Sequence, residues 1–158
     1  MTTQPLTAAD VLAKYRNGEK LTDLDLTGLD FAGQNLGGAD FTGANLTRAA
    51  FRKAKLAKAS LQNADLTETD FTGAELAEAT LVGARAVSAR FIRANLAQAD
   101  LTQGDFTEAD FTEADLSGAA LAGAVFARAR FVDAKVVKAN APQTVFTGAD
   151  LTDADFTE

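Results

Sequence analysis

The chain of 158 residues has no cysteine, no histidine and no tryptophan, and it contains only two prolines. The lack of cysteine excludes disulfides and thiol chemistry and fits a reducing cytoplasm, which is the location we predict. The lack of histidine removes the commonest acid–base side chain and the commonest zinc ligand. We therefore predict a protein that is not an enzyme and that binds no cofactor and no metal.

Long apolar runs and excess positive charge are also missing. No segment approaches the roughly 20 apolar residues of a membrane-spanning helix, and the N-terminus lacks the basic and apolar regions of a signal peptide. The net charge of −7 argues against direct binding to nucleic acid or to an anionic membrane. We expect neither nucleic acid nor membrane to be a direct partner.

A five-residue register is what the chain does contain. From Leu21 to Phe156 every fifth residue is large and apolar, except Ala86 and Ala141. The residue two positions before this centre is usually Ala, and the residue one before it is often Asp or Asn. Because an extended chain alternates its faces, the Ala and the centre point to one side and the Asp or Asn to the other. Glycine is frequent two positions after the centre, which suits a corner.

Two columns of identical residues set a longer period of twenty. The phenylalanine column comprises Phe31, Phe51, Phe71, Phe91, Phe111 and Phe131. The leucine column comprises Leu36, Leu56, Leu76, Leu96 and Leu116. Identical residues stack best at the inter-strand spacing of about 4.8 Å, so twenty residues form one four-sided coil. Residues 19–158 therefore predict seven coils with both columns in the core, and we expect Phe106 to fill the space beside the small Ala86.

The repeated units resemble those of the pentapeptide-repeat family, whose signature is A(D/N)LXX. The resemblance is carried by units such as Ala39–Gly43 (ADFTG), Ala44–Arg48 (ANLTR) and Ala64–Glu68 (ADLTE). It implies an all-β solenoid, the right-handed quadrilateral β-helix, over residues 19–158.

Residues 1–18 precede the repeats and predict a short capping helix. Thr7 and Asp10 have the spacing of a capping box. Val11, Leu12 and Tyr15 follow at helical spacing. We expect this helix to cover the first coil, since repeat stacks need their ends covered.

Charge alternates along the predicted rod. Successive coils from residue 19 are acidic and basic in turn, beginning and ending acidic. One outward column reads Asp70, Arg90, Asp110, Arg130, Asp150. Exposed ion pairs contribute only about 0–1 kcal/mol each, so we expect the ladder mainly to fix the register of the coils. A slip of one coil would place like charges together.

The functional prediction is a non-enzymatic scaffold or protein–protein interaction module that binds an unidentified protein partner. The candidate surface combines outward β-branched residues with arginines: Val87, Arg90, Ile92, Arg93, Arg130 and Val132. Such an apolar strip is typical of a docking surface, although β-branched residues also suit any sheet surface. The chain is expected to be a monomer or a weak end-to-end homodimer through its C-terminal coil.

The alternative is an acidic DNA mimic that binds a type II topoisomerase such as DNA gyrase, as some members of this family do. A mimic needs continuous negative potential along one face, as duplex phosphates provide. We expect basic residues to interrupt every face and to weigh against this alternative. These residues are Lys53, Lys55, Lys58, Arg85, Arg90, Arg93, Arg130 and Lys135.

Overall fold

The computed structural model describes residues 5–157, and its first element is the helix α1, Ala8–Arg16. A capping box begins it: the Thr7 hydroxyl accepts the Asp10 N–H at 3.2 Å, and the Asp10 carboxylate accepts the Thr7 N–H at 2.9 Å. Val11 is fully buried against the first coil. The Tyr15 hydroxyl donates to the Gly37 carbonyl at 2.8 Å. The predicted capping helix is confirmed.

The rest of the chain is a right-handed quadrilateral β-helix of about seven coils. Among residues 5–157 its β-structure consists of single-residue parallel bridges, not longer strands. Every fifth residue from Asp25 to Lys135 is bridged to the residue twenty positions later, ending at Asp155. The predicted twenty-residue coil is therefore confirmed.

Each coil has four sides, which we number from the first coil. Side I comprises residues 19–23, side II 24–28, side III 29–33 and side IV 34–38 in the first coil. In each later coil the same side contains the residues whose numbers are higher by twenty, forty and so on. Coil 1 is residues 19–38, and the later coils follow in steps of twenty. Sides I and III lie opposite each other across the core.

One pentapeptide, centred on Phe111, shows how every backbone N–H is satisfied. The N–H groups of Phe111 and Glu113 donate to carbonyls of the following coil at 2.7 and 2.8 Å. The N–H of Asp110 donates to the preceding coil at 2.9 Å, and that of Ala109 closes the preceding turn at 3.0 Å. The remaining N–H, of Thr112, donates to the Asp110 carboxylate at 3.0 Å. The frequent Asp or Asn before each centre thus completes the backbone hydrogen bonding of its own turn.

The corners are turns with a left-handed residue at their third position. The position two after each centre has a positive φ throughout, from Asp23 at 56° to Asp153 at 54°. In most turns the carbonyl of the centre also accepts the N–H three residues later, as in a type II turn. Glycine occupies a minority of these corners; residues such as Lys53 (φ 55°) and Arg93 (φ 55°) take the same conformation.

The core is formed by the centres of all four sides together with most of the alanines two positions before them. The phenylalanine column is stacked as predicted, with centroid separations from 4.8 Å for Phe91–Phe111 to 5.2 Å for Phe51–Phe71. The residues of the predicted leucine column are also fully buried. Burial of each phenylalanine contributes on the order of 2–3 kcal/mol.

A second aromatic column begins in coil 5. Its members are Phe106, Phe126 and Phe146, and they replace the Leu26, Leu46, Leu66 and Ala86 of the earlier coils on side II. The Phe106 ring meets Phe91, in the coil of Ala86, at 6.1 Å. A Cβ at Gly104 would lie 2.5 Å from this ring, so the glycine makes room for it. Compensation for Ala86 by Phe106 stays a prediction.

The C-terminal coil is the least covered part of the described chain. Val145, Leu151 and Phe156 are each about two-fifths exposed, whereas the centres from Leu21 to Phe131 are fully buried. End-to-end pairing through this coil stays a prediction.

Candidate functional site

The predicted surface lies mainly on side III. Arg90, Ile92, Arg93, Arg130 and Val132 all belong to that side, whereas Val87 lies on side II. The three arginines are exposed, and the β-branched residues are half-buried at the second position of their turns. Thr112 separates Ile92 from Val132 in their column, so the apolar strip is interrupted.

The charge ladder of side III exists, but its ion pairs differ from simple neighbour pairing. Bridges place Asp70, Arg90, Asp110, Arg130 and Asp150 in successive coils, as predicted. Arg130 pairs with Asp110 at 3.7 Å. Asp70 is held instead by a different side chain, Arg52, at 2.7 Å.

A second set of ion pairs, which the sequence analysis missed, joins the corners. Arg48 pairs with Glu68 at 2.8 Å, and Arg128 pairs with Glu108 at 2.8 Å. Lys58 and Glu78 approach to 3.5 Å. The partners are twenty residues apart, so the coil period would have identified them had the corner column been compared as well.

Side III is electrically polarised along the rod. Its first part, in coils 2–4, carries Arg52, Lys53, Arg90 and Arg93 against Asp70 alone. Its second part, in coils 5–7, carries Asp110, Glu113, Asp133, Asp150 and Asp153 against Arg130 alone. Among residues 5–157, Lys53, Arg90 and Arg93 have no carboxylate within 4 Å. Three exposed cations therefore stand at one half of this side and a surplus of carboxylates at the other.

Side I is different, and it corrects one expectation. From residue 39 onward it contains no lysine or arginine, and its only charged residues are Asp40 and Asp100. The expectation that basic residues interrupt every face is therefore wrong for side I. The remaining outward positions are small or uncharged, among them Ser60, Thr80 and Ala120.

Two carboxylates that precede centres, one in coil 1 and one in coil 7, are held ionised by hydrogen bonds from their own turns. The Thr27 hydroxyl and N–H donate to Asp25 at 2.6 and 3.2 Å and lower its pKa. Thr152 does the same for the pKa of Asp150. Groups committed to their own turn in this way are poor candidates for general acid–base catalysis.

A model of the family described as pentapeptide repeats matches the chain in eight copies, over residues 25–62, 51–85, 89–127 and 124–158. This chain is a pentapeptide-repeat protein. The family assignment agrees with the resemblance seen in the repeated units. No match was found among curated protein sequences.

Solved structures of other pentapeptide-repeat proteins are similar to this chain. HetL of Nostoc sp. strain PCC 7120, involved in heterocyst differentiation regulation, is 25% identical over 95% of this chain and 94% of its own, with a TM-score of 0.35. QnrB1, a plasmid-mediated fluoroquinolone resistance protein, is 23% identical over 89% and 76%, with a TM-score of 0.45. A protein of the Arabidopsis thaliana thylakoid lumen is 35% identical over 68% and 70%, with a TM-score of 0.34. With TM-scores below 0.5, function has to be argued from the surfaces of this chain.

Residues 5–157 contain no group of three or more Asp, Glu, His or Cys side chains arranged to hold a metal ion. No helix in this part of the chain has the length and hydropathy to cross a membrane.

Proposed function

We propose that this pentapeptide-repeat protein is a non-enzymatic interaction module that binds a partner protein through side III. The observation that carries the proposal is the concentration of unpaired exposed cations, Lys53, Arg90 and Arg93, around the half-buried Ile92 on one flat side. Interfaces commonly combine partly apolar contact with charges that set orientation.

The regular backbone supports this role. Bridges and turns repeat without interruption from coil 1 to coil 7, and the core is stacked through the whole rod. A surface on such a scaffold is preorganised, so binding costs little ordering of the chain. The outward columns can therefore present a fixed pattern of charges to a partner.

The alternative function, a DNA mimic acting on a type II topoisomerase, requires a different surface. Side I is free of basic residues from residue 39 on, but it offers only Asp40 and Asp100 over six coils. Duplex DNA presents one charge per roughly 1.7 Å of axis. Side I is therefore too sparsely charged to imitate DNA, and the other three sides contain lysines and arginines.

Affinity capture from the source cell tests the proposal. The bait is compared with the double variant Ile92→Ser/Val132→Ser and with Val82→Ser, a control at the equivalent turn position of side I. We expect proteins retained by the wild type and by Val82→Ser to be lost from the side III variant. Retention by all three baits would contradict the binding of a different cellular protein at side III.

A gyrase supercoiling assay tests the alternative directly. We expect no change in supercoiling at micromolar protein. Inhibition at that concentration, unaffected by the side III substitutions, would favour the DNA mimic over the interaction module.

A further inference from the structure

We propose that the partner of side III is a second copy of this chain, packed side by side and antiparallel. The inference rests on the proposed function, because it names the partner of the same surface. It follows from the polarity of side III: one half has unpaired cations and the other has surplus carboxylates. A two-fold axis that crosses this side between coils 4 and 5 would bring the two halves of different copies together.

Such an axis places each outward column against the same column running in reverse. Coil 4 then faces coil 5 of the second copy, coil 3 faces coil 6, and coil 2 faces coil 7. In the middle column, Arg90 meets Asp110 twice. Arg130 faces Asp70, which is buried and already paired with Arg52, so this second contact adds little. The only other contact of that column within coils 2–7 is the uncharged Ala50 against Asp150.

The corner column is complementary in the same register. Arg93 meets Glu113, and Lys53 meets Asp153, again twice each. The uncharged Gly73 faces Asp133. The four charged side chains of the two opposite-charge pairs have no ion-pair partner within 4 Å among residues 5–157. The second copy would therefore supply their opposite charges.

The second turn position, between the centre and the corner, is also compatible with this register. Ile92 meets Thr112 and Val132 meets Thr72, so β-branched side chains lie against β-branched side chains. Arg52 faces Thr152. No pair of like charges meets in any of the three columns.

Other registers are less favourable. An axis through coil 4 itself would place Arg90 against Arg90 and Asp70 against Asp110. A parallel pair with its two-fold axis along the middle column would face Arg90, Asp110 and Arg130 each with its own copy. Like charges directly opposite one another are destabilising. An axis between coils 3 and 4 also avoids them, but it leaves Arg93 opposite the uncharged Gly73. The axis between coils 4 and 5 gives both Arg93 and Lys53 an opposite charge, so it is the register we infer.

The size of the side limits the strength of this dimer. Six coils at about 4.8 Å and three extended residues at about 3.3 Å give a contact of roughly 300 Å² on each copy. Stable interfaces bury about 1,200–2,000 Å² in total. We therefore infer a weak, reversible dimer whose affinity depends on charge and falls steeply with added salt.

A charge-exchange experiment tests the register. Arg93→Glu and Glu113→Lys are exposed corner substitutions that spare the core and the turn-capping Asp residues. Each variant alone places like charges together twice in its homodimer, whereas a mixture of the two restores opposite charges in both places. Sedimentation velocity at low salt, up to several hundred micromolar protein, should show self-association of the wild type. Each variant alone should associate about tenfold more weakly, and the mixture should recover the wild-type level.

Two controls accompany the measurement. Gln103→Lys changes the charge of the equivalent corner on side I and should leave association unchanged. Since the chain has no cysteine, Lys53→Cys and Asp153→Cys each introduce a single thiol. Mixed together under mild oxidation, they should form a crossed disulfide faster than either forms its own.

The outcomes separate the two proposals. A wild type that is monomeric throughout, a mixture no more associated than its components, or association insensitive to Arg93→Glu would overturn the antiparallel dimer. If the chain stays monomeric while the side III variant still loses a captured protein, the interaction module stands with a different partner. If the dimer forms as described and capture is unchanged, the second copy is itself the partner of side III.

Discussion

The N-terminal half of the rod, coils 1–4, and the C-terminal half, coils 5–7, share one backbone but differ inside and outside. On side II the inward column changes from Leu26, Leu46 and Leu66 to Phe106, Phe126 and Phe146. On side III the balance of charge changes from positive to negative. The bridges and corners are the same on both sides of the junction. The repeated backbone hydrogen bonds therefore define the coil, and the residues at each column can change as long as their neighbours compensate.

The junction shows what this compensation requires. The small Ala86 ends the leucine series, and Gly104 precedes the first new phenylalanine. Both changes are local to coils 4 and 5, where the Phe106 ring contacts Phe91 and Phe111 at 6.1 and 5.8 Å. Two small residues thus admit one additional aromatic column without a change of coil size.

The largest effect is expected from removing one ring in each half. Phe71 stacks on two rings, whereas Phe111 contacts Phe91, Phe131 and both neighbouring rings of the second column. Either change to Ala should destabilise the fold by about 3–5 kcal/mol. Phe111→Ala should cost about 1 kcal/mol more than Phe71→Ala, because it loses more aromatic contacts. Denaturant unfolding measures both, and equal losses would show that the second column adds no stability.

A smaller effect is expected from Gly104→Ala. The new Cβ would lie 2.5 Å from the Phe106 ring, and such overpacking costs about 1–3 kcal/mol. In the background Phe106→Leu, which restores the residue type of the N-terminal half, the same substitution should be nearly neutral. A double-mutant cycle in urea provides the coupling free energy. Additive losses would mean that the glycine is needed for another reason.

At one corner position the two halves have different residue types, which substitutions can test. Gln98 ends a turn in coil 4 with φ 59°, and Gly118 occupies the same position in coil 5 with φ 69°. Gly118→Ala should destabilise by about 1 kcal/mol, because residues with a side chain pay for the left-handed conformation. Gln98→Gly should be neutral or should stabilise by up to about 1 kcal/mol. Thermal unfolding measures both changes. Stabilisation by Gly118→Ala or destabilisation by Gln98→Gly would contradict this account of the corners.

The smallest effects are expected in the pH dependence of the unfolding free energy. Hydrogen bonds from Thr27 and Thr152 lower the pKa values of Asp25 and Asp150, one in each half. A carboxylate with a lowered pKa stabilises the fold above its unfolded value, near 4, and this contribution is lost as the pH falls through the folded value. Asp25→Asn and Asp150→Asn keep an oxygen that accepts the turn N–H, as Asn45 already does for Thr47.

Each of these two variants should therefore be less sensitive to acid than the wild type, with little change at neutral pH. Unfolding free energies at pH 3 and pH 7 test this expectation for both halves. An unchanged pH dependence in both variants would show that these capped carboxylates are not linked to folding.

Most of the fold was predictable because its signal is periodic. The Phe91 and Phe111 spacing identified the coil, and Thr7 and Asp10 identified the start of α1. The left-handed corners at Lys53 and Arg93 were not predictable from residue type, because the hydrogen bonds of adjacent coils impose them against intrinsic preference.

The candidate surface was less predictable than the core. The sequence places Arg90 and Arg130 in one column, but it does not show that Arg52 takes Asp70 as its partner. Long side chains choose among several neighbours by rotamer and direction, which a linear register does not encode. The absence of lysine and arginine from side I after Lys20 is a property of one side and does not appear in the net charge of whole coils.

The nested periods also determine which changes of length this protein can tolerate. Deletion or insertion of five residues would keep apolar centres in the interior, yet every later outward column would rotate by a quarter turn onto the adjoining side. Twenty residues would restore the sides but would place two coils of the same sign next to each other. Forty residues, two whole coils, is the shortest insertion that preserves both the sides and the alternation of charge. We therefore expect the rod to lengthen by pairs of coils wherever its surface is used for recognition.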